Sequence, residues 1–322
     1  MTACASTAVP GRSRRGMTLV ELLIVVLLLA GFMALVVAGV RGSQAPQLRR
    51  VAEQLAAALT SAQSRSLGVP EGAGTIVTIS GSTTVYDAVM QPHIEATVSS
   101  GVPPSDPSSA SASVNFSLAN ADTVSRAYKI LLTGTGGPGV GSMAWMAFAA
   151  TGMTSGNASF RAGTGQTSDN TVWPKSVTGG SMYALLGQYP NEASAAVGLG
   201  DAVTIDTRFS GTGDGTQFAG KTWIAVVFDR VGRVGEVLTC DQDPDVNSTG
   251  FGAGLPASTI YLLVARKDDV DAGRNTLASD DTLWVAISPQ TGRVLVADNV
   301  PQSGADVRAA RQNARQGITA KR

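Results

Sequence analysis

The sequence predicts an α+β fold: a long N-terminal helix, apolar in its first half and amphipathic in its second, packed on an antiparallel β-sheet domain of one or two sheets. Three observations carry this. Met17 to Val40 is a run of 24 residues broken by a single charge, Glu21. Leu48, Val51, Ala52, Leu55, Leu59 and Ala62 then recur at helical spacing, with polar residues on the other faces. From Thr75 onward, short β-branched runs alternate with Gly, Ser, Asn and Pro.

Taken in order, residues 1–16 are polar, carry Arg12, Arg14 and Arg15 with no acid, and end in Gly16. The apolar run that follows would be roughly 36 Å long as a helix at about 1.5 Å per residue, enough to cross a bilayer. An ionised carboxylate in a spanning helix costs a few kcal/mol, so such groups face protein or a specific partner rather than lipid. Glu21 therefore needs a cation. An ordinary secretory signal has its small-residue cleavage site after the apolar core. Here the small residue, Gly16, precedes it.

The stretch Arg14 to Leu29, with Gly16-Met17-Thr18-Leu19-Val20-Glu21 at its centre, resembles the class III signal of type IV prepilins and type II secretion pseudopilins. That resemblance implies a pilin-like fold and a dedicated prepilin peptidase that cuts after Gly16 and methylates the new amino terminus. Met17 becomes the first mature residue and Glu21 the fifth, the position that in this family pairs with a neighbouring subunit's terminal amine. The resemblance also implies a single-pass protein of the bacterial inner membrane. Its C-terminal domain would lie in the periplasm or on an extracellular filament, and its partners would be other pilin or pseudopilin subunits. Charge alone says less, because Arg41, Arg49 and Arg50 follow the span and leave little asymmetry across it. Losing the leader leaves 21 basic against 24 acidic side chains, a balance that points to no nucleic-acid partner.

Gly39, Gly42 and Pro46 predict a bend or unwound joint between the two helical halves. The domain boundaries that follow are a leader at 1–16, a transmembrane helix at 17–40, an amphipathic helix at 41–68, a β-rich globular domain at 69–300 and a basic tail at 301–322. Strands are expected at 75–80, 83–90, 94–99, 114–118, 124–133, 143–149, 202–209, 222–229, 233–239, 259–267, 282–288 and 293–297, with a short helix at 181–188. The Ser/Pro/Gly-rich stretches 99–113, 134–141, 151–171 and 210–220 read as loops too poor in apolar surface to build cores of their own. The tail carries Arg308, Arg311, Arg315, Lys321 and Arg322 against Asp306 and is expected to be frayed and solvated.

Two segments echo each other sixty residues apart. Val226 to Val234 and Val285 to Val294 each read as a strand, a tight loop ending in Gly-Arg-Val, and a returning strand. Gly232 and Gly292 occupy loop positions that favour positive φ. This pattern is similar to the C-terminal sheet of H-type minor pseudopilins and FimT-like pilins.

The chemical inventory is thin. Once Cys4 leaves with the leader, Cys240 is the only cysteine, and it reads as a small buried residue ending a strand. His93 is the only histidine, and no Gly-x-Ser-x-Gly elbow occurs, so a hydrolase is not expected. Gly134 to Gly139 satisfies Gly-x-Gly-x-x-Gly, yet no acid lies between Gly139 and Asp169 to hold a ribose, so a loop is expected there rather than a cofactor site. Asp241, Asp243, Asp245 and Asn247 place oxygen ligands at every second residue, as in the first half of a calcium loop. Val246 stands where that loop needs glycine and Gly252 where it needs glutamate, which favours a solvated acidic loop; no cofactor is expected, and calcium is the one candidate.

The function expected from the resemblance is a non-enzymatic structural subunit, a minor pseudopilin or pilin, of an inner-membrane-assembled type II secretion pseudopilus. The alternative is a type IV pilus minor pilin for adhesion, motility or DNA uptake. An anchored periplasmic enzyme is the third class, and no catalytic constellation favours it. Retention of Glu21 argues against a tip subunit of the K type, which usually lacks that acid.

Overall fold

The computed structural model describes residues 19–42, 45–80, 82–90, 94–102, 111–118, 127–133, 146–154, 157–162, 182–188, 190–192, 196–241, 252–254 and 256–319. The chain divides into two compact units, Met1–Pro46 and Gln47–Arg322. In the first, helix α1 covers Leu19–Gly42. Its sequence is unbroken Leu, Val and Ile over most of three turns, with no proline to remove a backbone donor. Helix α2 covers Ala45–Ser66, and Pro46 sits in its first turn, where a missing N–H leaves no bond unmade. Residues 43–44, within the stretch where a joint is expected, lie outside the described residues.

Among the described residues, the second unit holds eighteen strands. In chain order they are β1 (Ala73–Ser80), β2 (Ser82–Val89), β3 (Ile94–Val102), β4 (Ser111–Leu118), β5 (Ala127–Thr133), β6 (Met146–Thr154), β7 (Asn157–Ala162), β8 (Met182–Gln188), β9 (Asn191–Glu192), β10 (Val197–Gly198), β11 (Val203–Ile205), β12 (Gly211–Thr212), β13 (Trp223–Phe228), β14 (Val234–Cys240), β15 (Gly252–Gly254), β16 (Ile260–Arg266), β17 (Leu283–Ile287) and β18 (Val294–Asp298). A first sheet runs β10-β2-β1-β13-β14-β15, with β9 also on β2. A second runs β11-β16-β17-β18, with β12 also on β16. The strands β3-β4-β7-β6-β5-β8 close into a barrel. All pairings are antiparallel. The α+β class with antiparallel sheets therefore stands.

The core lies between α2 and the two open sheets. Leu48, Val51, Ala52, Leu55, Leu59 and Ala62 are all buried, so the whole helical stripe faces inward. They pack in one cluster with Val77, Ile224, Val226 and Phe228 of the first sheet and Leu262, Val264, Val285 and Ile287 of the second. Each such fully buried aliphatic side chain contributes about 1.5–3 kcal/mol relative to an exposed one. The polar flanks of α2 hold it in place. Arg49 pairs with Asp298 on β18 at 2.9 Å, and Arg65 pairs with Asp87 on β2 at 2.6 Å.

The two Gly-Arg-Val loops meet. Gly232 and Gly292 have φ of 79° and 65°, as their steric role requires. The Gln63 side-chain amide of α2 donates to the carbonyl of Gly232 at 3.1 Å and to that of Thr291 at 2.8 Å. Val234 N donates to Pro289 O across the sheets at 2.9 Å. A Cβ on Gly292 would collide with the Gly232 carbonyl oxygen, so the second loop is closely packed on the first.

Three expectations are corrected. Residues 181–188 were expected as a short helix and form strand β8, because pairing with β3 and β5 outweighs the helix preference of Ala and Leu. The stretches at 99–113 and 151–171 are not wholly loop: β3 runs on to Val102, β4 starts at Ser111, and β7 pairs with β4 and β6. Strand pairing satisfies backbone groups whatever the side chains are, so Ser- and Ala-rich segments suffice. The tail from Pro301 contains α4 (Val307–Ala310) and α5 (Gln312–Thr319) and is packed rather than frayed.

Candidate functional site

Gly16 and Met17, the expected processing residues, lie outside the described residues. Glu21 is the third residue of α1, and its side chain is not among those described. Around it the helix is apolar on every face: each residue from Leu22 to Met33 is exposed, among them Leu27 at 64% and Phe32 at 69%. An amphipathic surface helix would keep a polar face, which Leu22 to Met33 lacks. Among the described residues, no helix is long and apolar enough to cross a membrane.

Of the calcium candidates, Asp241 is described, and Asp243, Asp245 and Asn247 lie outside the described residues. Asp241 is already engaged, pairing with Lys221 at 2.7 Å, while its carbonyl accepts from Thr222 Oγ1 at 2.6 Å. Among the described residues no group of three or more His, Cys, Asp or Glu could hold a metal ion. Cys240 is fully buried at the end of β14. His93 and the glycines from Gly134 to Gly139 lie outside the described residues.

The most densely built polar site is one that sequence reasoning missed. Arg311, between α4 and α5, is fully buried. Its guanidinium donates to the carbonyls of Phe209 at 2.6 Å, Gly213 at 2.5 Å and Gly215 at 3.2 Å, and lies over the rings of Tyr261 at 4.6 Å and Trp284 at 5.0 Å. The two rings meet edge to face at 6.0 Å. Burial pushes the Arg311 guanidinium down to about 10, still far above neutral, so it is charged in neutral solution. Burial also raises the Tyr261 phenol, while a hydrogen bond with Thr259 and the Arg311 charge oppose that rise. Arg315 and Arg308 pair with Asp214 on the same loop. Trp284 Nε1 donates to Asn299 Oδ1 and to the Ala310 carbonyl, joining α4 to β17. The spacing of Val307, Ala310 and Ala314 is the sequence signal for this docking, an apolar stripe made of residues too small to stand out. Its chemistry is that of a clamp: every acceptor of Arg311 is a backbone carbonyl of one loop.

No family model, no curated protein and no solved structure matches the chain.

Proposed function

We propose that the chain is a non-enzymatic structural subunit of a filament assembled at the bacterial inner membrane, a minor pseudopilin of a type II secretion pseudopilus. The observation that carries this reading is the register of Gly16, Met17 and Glu21 at the head of an apolar segment. Helix α1 supports it by exposing apolar side chains on all faces, and α2 supports it by burying its stripe against an antiparallel sheet. In this reading a prepilin peptidase cuts after Gly16. The retained helix stays in the membrane until assembly, and the Glu21 carboxylate then neutralises the terminal amine of a neighbouring subunit. Inside a poorly hydrated helix bundle that pair is worth more than at a wet surface, and removing one partner leaves the other charge uncompensated.

Two measurements test it. The intact mass of the membrane-extracted protein is expected to correspond to a chain starting at a methylated Met17. Glu21→Ala is expected to be made, inserted and cut, yet to be excluded from filaments, whereas Gly16→Asp is expected to block the cut itself. A mature chain that keeps Arg14 and Arg15, or a processed Glu21→Ala protein incorporated at wild-type levels, refutes the reading.

A further inference from the structure

A cavity of about 360 Å³ opens between α2 and the loop that joins β10 to β11. Its floor is apolar, with Val51 and Leu199 both buried members of the main core. Its rim is polar: Arg50, Gln47 and Gln54 come from α2, and Asp201 comes from the loop. Arg50 and Asp201 are both exposed and stand on different elements, one cation and one anion on the two walls of one small basin. Asp201 also lends its charge to Lys267, but that ammonium has its own carboxylate, Asp271, at 2.9 Å. The volume sits at the low end of the range for small-molecule pockets, right for a headgroup and too small for a larger ligand.

The geometry points to a site for the zwitterionic phosphoethanolamine headgroup of a membrane lipid. Arg50 takes the phosphate, where its planar fork donates two parallel hydrogen bonds. Asp201 takes the primary ammonium, the two glutamine amides complete the polar rim, and the apolar floor receives the carbons next to the phosphate. This inference rests on the reading that α1 lies in a bilayer. Gln47 follows Gly42, the last residue of α1, by five residues, a length of chain that reaches at most about 18 Å when extended. The pairing of charges makes the lipid choice specific. A phosphoglycerol headgroup has hydroxyls but no cation for Asp201, and its net negative charge is repelled by that carboxylate. A choline headgroup buries its charge under methyls and has no N–H to donate.

The test uses the full chain extracted in neutral detergent, titrated with dihexanoyl-phosphatidylethanolamine below its micellar concentration and followed by calorimetry. Saturable binding is expected, weakened about tenfold or more by either Arg50→Ala or Asp201→Ala, since each removes one charge-assisted contact. The corresponding choline and glycerol lipids should bind the wild type more weakly by a similar factor. Free phosphoethanolamine, which lacks the glycerol carbons, should bind more weakly than the lipid; if it binds as tightly, the ligand is a soluble metabolite and the lipid assignment fails. Equal binding by wild type and both variants, or a glycerol lipid that binds as well as the ethanolamine lipid, overturns the site. Intact mass on the same sample separates the two readings. A chain cut after Gly16 that shows no headgroup preference removes the site and leaves the filament subunit, and an uncut, unanchored chain that shows the preference does the reverse.

Discussion

Arg311 joins the last two helices to the rest of the domain through one loop, and replacing it by alanine is expected to destabilise the domain by about 3–5 kcal/mol. The structure sets that size. Three donated bonds to carbonyls are lost, each worth roughly 1.5–3 kcal/mol net when the donor is charged. Contact with two ring faces adds about 0.5–2 kcal/mol for each. Against this stands the desolvation of a guanidinium, several kcal/mol, which the variant recovers. What the variant cannot recover is the loop: the carbonyls of Phe209, Gly213 and Gly215 lose their donor, with only Arg315 left near Gly213 O at 3.4 Å. For a domain of this size, 3–5 kcal/mol corresponds to a fall in Tm of roughly 6–20 °C.

The assay is thermal unfolding followed by near-ultraviolet circular dichroism, which reports the packing of Tyr261 and Trp284. Arg311→Lys keeps the charge but has no planar fork to reach three carbonyls, so it is expected to fall between alanine and wild type. Arg311→Met fills the space without donors and separates lost packing from lost hydrogen bonds. A Tm for Arg311→Ala within about 2–4 °C of wild type would mean a loss of only about 1 kcal/mol. Val307, Ala310 and Ala314 would then hold the helices unaided, and the clamp reasoning would be wrong.

Two further predictions concern the folding of the domain. Gly292→Ala meets both a positive φ and the Gly232 carbonyl and is expected to cost about 2–3 kcal/mol, whereas Gly220→Ala, at φ 74° with open space around it, is expected to cost only about 1 kcal/mol; equal melting temperatures for the two would refute the close packing of the loops. Val89 and Asn191 are cross-strand partners on β2 and β9, so replacing residues 90–190 with Asn-Gly is expected to close a hairpin and leave a folded two-sheet domain, a result that a non-cooperative melting curve would refute.

The parts of this fold that were legible in the sequence are those whose cause is local. The stripe from Leu48 to Ala62 repeats at the helix period, and burial of one face follows from that period alone. Gly232 and Gly292 announce their loops because positive φ is a property of the residue itself. That the two loops meet under Gln63 could not be read, since Gln63 is 169 and 228 positions from its acceptors. The barrel was hidden for a different reason. Strands β3, β4, β5 and β6 were expected in part, but β7 and β8 were not, and the barrel closes through pairs such as Ile94 with Leu186, far apart in the chain. Arg311 was hidden by its type: arginine is almost never fully buried unless paired, and the rings that cover it lie 27 and 50 positions upstream. At the N-terminus the expected site rests on the motif alone, and Gly16 and Met17 lie outside the described residues.

The core clusters of the described residues begin at Leu48, and α1 contributes to none of them. The side chains of Leu22 to Met33 are exposed, and in water that apolar surface would be unfavourable at about 25 cal/mol per Å². Its surroundings must supply the compensation. A bilayer would do so for leucines and valines, whereas it penalises an ionised acid such as Glu21. A membrane anchor that nothing else contacts would be better served by leucine at that position. In the filament proposed above, the terminal amine of a neighbouring copy, freed by a cut after Gly16, would supply the cation that an acid at position 21 needs in apolar surroundings.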